Sequence, residues 1–249
     1  MVIKNHLPCS QMAAVIPATS RSPALTDQPP AEPVFNAPLV AVLLAVSLPG
    51  LFWLQTTLPD GGLSLAFQPA LLWRGEGWSG LFTSMFIHGG WTHVVMNAVA
   101  AFAFAPPVAR LMPGPRGAAA FLAFYIAAGL AGAVGYALVH AASFDPVGGA
   151  SAAVFGLMGA AFRLLGRRSG TLRPLTDRRF LVMAAVIMAV NLGAGLIGLV
   201  PGAVGARVAW EAHAFGFVAG ALLIGPWARL FGSRRTSFDS PPDLRDPSD

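Results

Sequence analysis

The run Gly148-Gly149-Ala150-Ser151-Ala152-Ala153-Val154-Phe155-Gly156 carries one polar side chain, Ser151, and continues with apolar residues to Phe162. A second run, Ala212-His213-Ala214-Phe215-Gly216-Phe217-Val218-Ala219-Gly220, isolates His213 in the same way. Polar side chains in segments of this kind are costly to bury in lipid and tend to be there for function. Whether the runs belong to lipid is decided by the rest of the chain.

Of the 249 residues, 55% are hydrophobic and 11% charged. Soluble domains carry about 25% charge, so the balance is that of a membrane protein. A bilayer-spanning helix takes about 20 mostly apolar residues. Six stretches qualify: Leu39 to Leu58, Trp91 to Leu111, Ala118 to Val139, a short one from Ala150 to Leu165, Phe180 to Val200, and Ala209 to Phe231. The expected fold is therefore all-α, a polytopic membrane bundle of six transmembrane helices in one domain, residues 37–231. Polar, proline-containing tails, residues 1–36 and 232–249, are expected to be disordered and cytoplasmic. The first of them lacks the basic region and apolar run of a signal peptide. No internal repeat suggests a transporter built on repeat symmetry.

The formal net charge of +5 is explained by topology. With six spans, fourteen of the sixteen Lys and Arg residues fall on the side of the tails; only Arg74 and Arg207 lie opposite. The positive-inside rule makes that side cytoplasmic. The cationic residues are not interleaved with exposed aromatics, so no nucleic-acid partner is expected. Cys9 is the single cysteine, which excludes an intramolecular disulfide and a cysteine metal cluster. The first external segment, about Pro59 to Gly90, holds Trp73, Trp78, Phe82, Met85 and Phe86. It is expected to pack on the bundle and enter the outer leaflet in part.

Ser151 is placed at the start of the fourth span, where free backbone amides and the helix dipole would stabilise an oxyanion beside it. The plainer reading is a helix cap or a small packing residue. His213 begins the sixth span on the same side, and an imidazole there can take the serine proton and return it to a leaving group. Its plainer reading is a packed, hydrogen-bonded histidine. Gly216 and Gly220 follow it on one face, and Ala152, Gly156 and Ala160 repeat the small-residue spacing on the fourth span. Two such faces can pack closely and bring His213 to Ser151. At the start of the second span, His93 and Asn97 share a helix face. They can donate to an oxyanion or simply tie two helices together. His88 precedes that helix and is expected to fix the loop or hold water.

These residues carry a family pattern. The chain from about Trp78 to Gly225 resembles the rhomboid intramembrane serine proteases of the six-span bacterial form. Thr83-Ser84-Met85-Phe86-Ile87-His88-Gly89-Gly90-Trp91-Thr92-His93, continuing to Asn97, is similar to the family's second-span motif. Gly149-Ala150-Ser151 is similar to its nucleophile motif, and Ala212 to Gly216 with Gly220 to its histidine segment. The resemblance implies Ser151 as nucleophile and His213 as base in a dyad without an acidic third member. It implies His93, Asn97 and the Ser151 amide as oxyanion donors, with Phe155 placed against the histidine. Glu211, two residues from His213, has no role in that pattern, and a helical neighbour two residues away faces elsewhere.

Three positions depart from the family. Ala152 replaces the glycine that usually follows the nucleophile, and its methyl could crowd the substrate or the oxyanion amide. Ser79-Gly80 stand where a Trp-Arg pair is expected, while Trp73-Arg74 lie earlier. Ala109 replaces an acidic residue near the inner end of the second span.

The function implied is cleavage of transmembrane segments near the outer face, with membrane-protein substrates and the bilayer as partners. No metal or organic cofactor is expected, the location is the bacterial inner membrane, and no oligomeric state is read from the sequence. The alternative is a catalytically inactive rhomboid-like binder of transmembrane clients, favoured by Ala152. A metal-binding protein or transporter using His88, His93 and His213 is the third reading.

Overall fold

The computed structural model describes residues 37–166, 171–198 and 208–232. The expected N-terminal tail, all of the C-terminal tail except Gly232, and the arginines at 167, 168 and 207 lie outside the described residues. The eight α-helices in them are α1 Leu39–Gln55, α2 Pro69–Trp73, α3 Gly80–Thr83, α4 Trp91–Ala109, α5 Gly114–Val139, α6 Ser151–Leu164, α7 Arg178–Ile197 and α8 Trp210–Phe231. Among the described residues there is no β-strand, only one isolated antiparallel bridge between Phe67 and Val147.

Six of these helices coincide with the six apolar stretches. Four of them, α4, α5, α7 and α8, are long and apolar enough to cross a membrane. The other two, α1 and α6, are shorter, at 17 and 14 residues.

Local chemistry sets the ends. Pro115 opens α5, where its missing N–H costs no helical bond. The Asp177 carboxylate caps α7, accepting from the backbone N–H groups of Arg179 and Phe180 at 3.0 and 3.1 Å. Pro106 and Pro107 lie in the last turn of α4, where each lacks the N–H that would bond the carbonyl four residues back, and the helix ends two residues later at Ala109.

The short helix α6 is the hub. Nine of its 14 residues are buried, on every side of the helix. It packs against α4, α5, α7 and α8. Burial on every side marks a helix surrounded by other helices rather than by lipid. Along α8, Gly216 rests on the Ala152 carbonyl and Gly220 on the Gly156 carbonyl, with no room for a Cβ at either. This close approach needs glycine on one helix and small residues on the other. By contrast, α7 buries only Phe180 and Asn191.

The segment between α1 and α4 is tied down by backbone. Phe67 and Val147 exchange two hydrogen bonds of 2.8 Å, Ala70 N–H donates to Ser143 O at 2.9 Å, and the Trp73 indole donates to Ala137 O at 3.0 Å. Arg74 lies over the Phe144 ring, 4.7 Å from its centroid. The Trp73-Arg74 pair therefore docks on the end of α5 and the loop after it. At the other end of the bundle, Arg163 donates to the carbonyls of Ala221 (2.8 Å) and Arg173 (2.8 Å), and Arg173 donates to Leu165 O at 2.9 Å. These two cations, read from sequence as topology markers, also satisfy backbone carbonyls at the end of α6, in the loop after it and midway along α8.

Candidate functional site

Gly148 and Gly149 deliver the chain to the first residue of α6. Gly149 N–H donates to Ser84 O at 2.9 Å. Gly149 has φ +145°, a conformation that L side chains rarely adopt. A Cβ there would lie 2.9 Å from His93 Cε1, 3.0 Å from His93 Nε2 and 3.4 Å from Ser151 Oγ. The missing side chain thus leaves a small space bounded by the His93 ring and the Ser151 hydroxyl.

Ser151 is the first residue of α6, after an Ala150 N-cap that makes no side-chain bond. Its hydroxyl does not cap the helix. It lies 2.7 Å from Nε2 of His213, on the first turn of α8. The two residues are 62 positions apart in the chain. The Phe155 ring, one turn along α6, lies flat on the imidazole at 4.4 Å between centroids and an interplanar angle of 9°. A hydroxyl and an imidazole held in this way can pass a proton between them, which makes the oxygen nucleophilic.

The other imidazole nitrogen also has a partner, and sequence reasoning missed it. His213 Nδ1 lies 2.7 Å from Oδ1 of Asn191 on α7. Asn191 Nδ2 donates to Trp210 O at 2.8 Å. The signal was present: Asn191 is the only polar side chain from Phe180 to Ile197. Glu211, two residues from His213, points away and pairs with His140 at 3.0 Å.

His93 and Asn97 lie one turn apart on α4. Asn97 is 6% exposed, and its Nδ2 has no hydrogen-bond partner among the described residues. That Nδ2 group does not tie two helices together. It is a buried donor without an acceptor, which calls for an explanation. His88 is 2% exposed. Its backbone is clasped by Gln55, which accepts from His88 N–H at 2.8 Å and donates to His88 O at 2.9 Å. The His88 Nε2 accepts from Ala150 N–H at 3.4 Å, beside Ser151. Burial first, and the neighbouring His93 imidazole second, push the His88 imidazole down to about 4.

The Ala152 methyl does not face this space. It packs toward Gly132 of α5, where an added Cβ would come within 2.6 Å of it. Of the three histidines of the metal reading, His88 and His93 are neighbours with ring centroids 5.1 Å apart, while both His213 nitrogens are engaged by Ser151 and Asn191. Among the described residues, no three His, Cys, Asp or Glu side chains group as a metal site.

The family model for the rhomboid domain matches residues 73–229, which includes His88, His93, Asn97, Ser151, Asn191 and His213. The chain belongs to the rhomboid family. Two proteins of Bacillus subtilis (strain 168) are similar to this rhomboid. YdcA, named as a candidate rhomboid protease, is 31% identical over 185 residues, covering 66% of this chain and 85% of YdcA. The rhomboid protease GluP is 32% identical over 184 residues, covering 69% of this chain and 31% of GluP. Family and apolar helices together make this rhomboid an integral membrane protein.

Proposed function

We propose that this rhomboid is an intramembrane serine endopeptidase of a bacterial inner membrane, cutting transmembrane segments near the outer face by a Ser151–His213 dyad. The observation that carries the reading is the 2.7 Å approach of Ser151 Oγ to His213 Nε2. Ser151 Oγ attacks the scissile carbonyl carbon as Nε2 takes its proton. The oxyanion is held by the Ser151 backbone N–H, the His93 side chain and the Asn97 amide. The tetrahedral intermediate then expels the amine, which leaves with the proton from His213. Water hydrolyses the acyl-serine ester along the same path, with no cofactor. A substrate helix must unwind locally, because its own hydrogen bonds shield the scissile carbonyl.

In this reading all six longer helices span, including α1 and α6. The 14 residues of α6 rise about 21 Å, short of the ~30 Å hydrocarbon core. With its Arg163 end at the inner surface, its Ser151 end stops below the outer one. An even number of spans puts both termini on the cation-rich, cytoplasmic side.

The test is a purified preparation in liposomes with a labelled single-span substrate. Wild type releases product and Ser151→Ala does not; a fluorophosphonate probe labels wild type and fails on His213→Ala. Equal product from wild type and Ser151→Ala would replace the protease with a client binder.

A further inference from the structure

We propose that Asn191 is a positioning residue that fixes the tautomer and orientation of His213, an inference resting on the protease reading above. Three atoms set the logic. The Trp210 carbonyl can only accept, so the Asn191 atom 2.8 Å from it is the amide nitrogen. The atom facing His213 Nδ1 at 2.7 Å is therefore the amide oxygen, which also can only accept. Nδ1 must then carry the imidazole proton. Nε2 is left with its lone pair, directed at the Ser151 hydroxyl 2.7 Å away. A backbone carbonyl on α8 thus sets the state of the base on α8 through one side chain on α7.

The placement of Asn191 supports a role beyond helix adhesion. It is 5% exposed, and it and Phe180 are the only buried residues of α7. Both ends of its amide are engaged, so no polar atom is left unpaired in the apolar span. Phe155 restrains the imidazole by its face, while Asn191 restrains it by its edge. The stack leaves in-plane rotation free; the Asn191 bond removes it.

The experiment compares wild type, Ser151→Ala, Asn191→Ala and Asn191→Asp in liposomes. It reads fluorophosphonate labelling rate, kcat and KM on a transmembrane peptide, and the ¹⁵N spectrum of the His213 imidazole. Asn191→Ala should lower labelling rate and kcat by about 10- to 100-fold, the loss of one good hydrogen bond to the base, with KM within about twofold. Asn191→Asp keeps the acceptor toward Nδ1 and loses the donor to Trp210, so it should recover most of the rate. The wild-type spectrum should show the proton on Nδ1. Wild-type labelling by Asn191→Ala, equal loss in both variants, or a proton on Nε2 would each overturn the inference. If wild type labels and cleaves no better than Ser151→Ala, the protease reading is what fails, and the ¹⁵N spectrum still decides the Asn191 bond.

Discussion

The Phe155 ring covers the His213 imidazole almost in parallel, 9° from coplanar at 4.4 Å. The contact spans α6 and α8, and it keeps the base from swinging off the Ser151 hydroxyl. Aromatic pairs contribute about 0.5–1.5 kcal/mol beyond their buried area. Phe155→Ala should therefore lower kcat by about 3- to 10-fold. Phe155→Tyr keeps the ring and should stay close to wild type in the same peptide assay.

Gly149→Ala should slow cleavage steeply while leaving the bundle folded. The new methyl would enter the space between His93 and Ser151, at a φ that alanine rarely adopts. The expected loss in kcat is about 10²- to 10³-fold, that of removing an oxyanion donor. Labelling by the fluorophosphonate should fall with it, while stability falls only by the roughly 1–3 kcal/mol of one strained backbone position.

Asn97→Leu should separate activity from stability. The Asn97 Nδ2 is buried without a partner among the described residues, so replacing the amide with an apolar side chain of similar size removes a desolvation cost of about 1–3 kcal/mol. The variant should be at least as thermostable as wild type, yet cleave about 10²- to 10³-fold more slowly. A drop in stability would show that the amide has a structural partner.

Gly220→Ala should weaken the α6–α8 contact, because a Cβ would collide with the Gly156 carbonyl. Overpacking of this kind costs about 1–3 kcal/mol or more. Activity and thermal midpoint should fall together, in contrast to Asn97→Leu. Gly193→Ala, where a Cβ meets nothing within 4 Å, is the matched control and should behave as wild type.

Acid should act through His88. Its imidazole titrates near 4 in the folded protein and near its ordinary value of 6.5 when unfolded. The neutral form is the folded one, so its contribution is whole above pH 6.5 and is lost as pH falls through 4. Protonation also places a hydrogen on the nitrogen that accepts from Ala150 N–H. The thermal midpoint of wild type should exceed that of His88→Gln by more at pH 7.5 than at pH 4. A gap independent of pH would exclude this coupling.

Much of the architecture was legible in the residues because lipid imposes simple demands. Apolar runs of sufficient length and isolated polar groups within them are properties of consecutive residues. The small-residue faces of α6 and α8 could likewise be read from spacing. Asn191 stood alone in its span from Phe180 to Ile197 and was passed over, because nothing local says what an amide in a membrane helix will face. The Ala152 substitution pointed toward crowding of the site, since the sequence does not show where a methyl is aimed.

By itself, then, the sequence determined that this is a helical membrane protein with a serine and a histidine set apart in two apolar segments. Composition, run length and periodicity suffice for that, because each depends on near neighbours in the chain. Only the tertiary structure decided that the hydroxyl of Ser151 and the imidazole of His213 meet at 2.7 Å, that Asn191 holds the far nitrogen, and that the Ala152 methyl turns toward Gly132. Those outcomes depend on the rotation and depth of helices packed against one another, which are set by contacts between residues tens of positions apart.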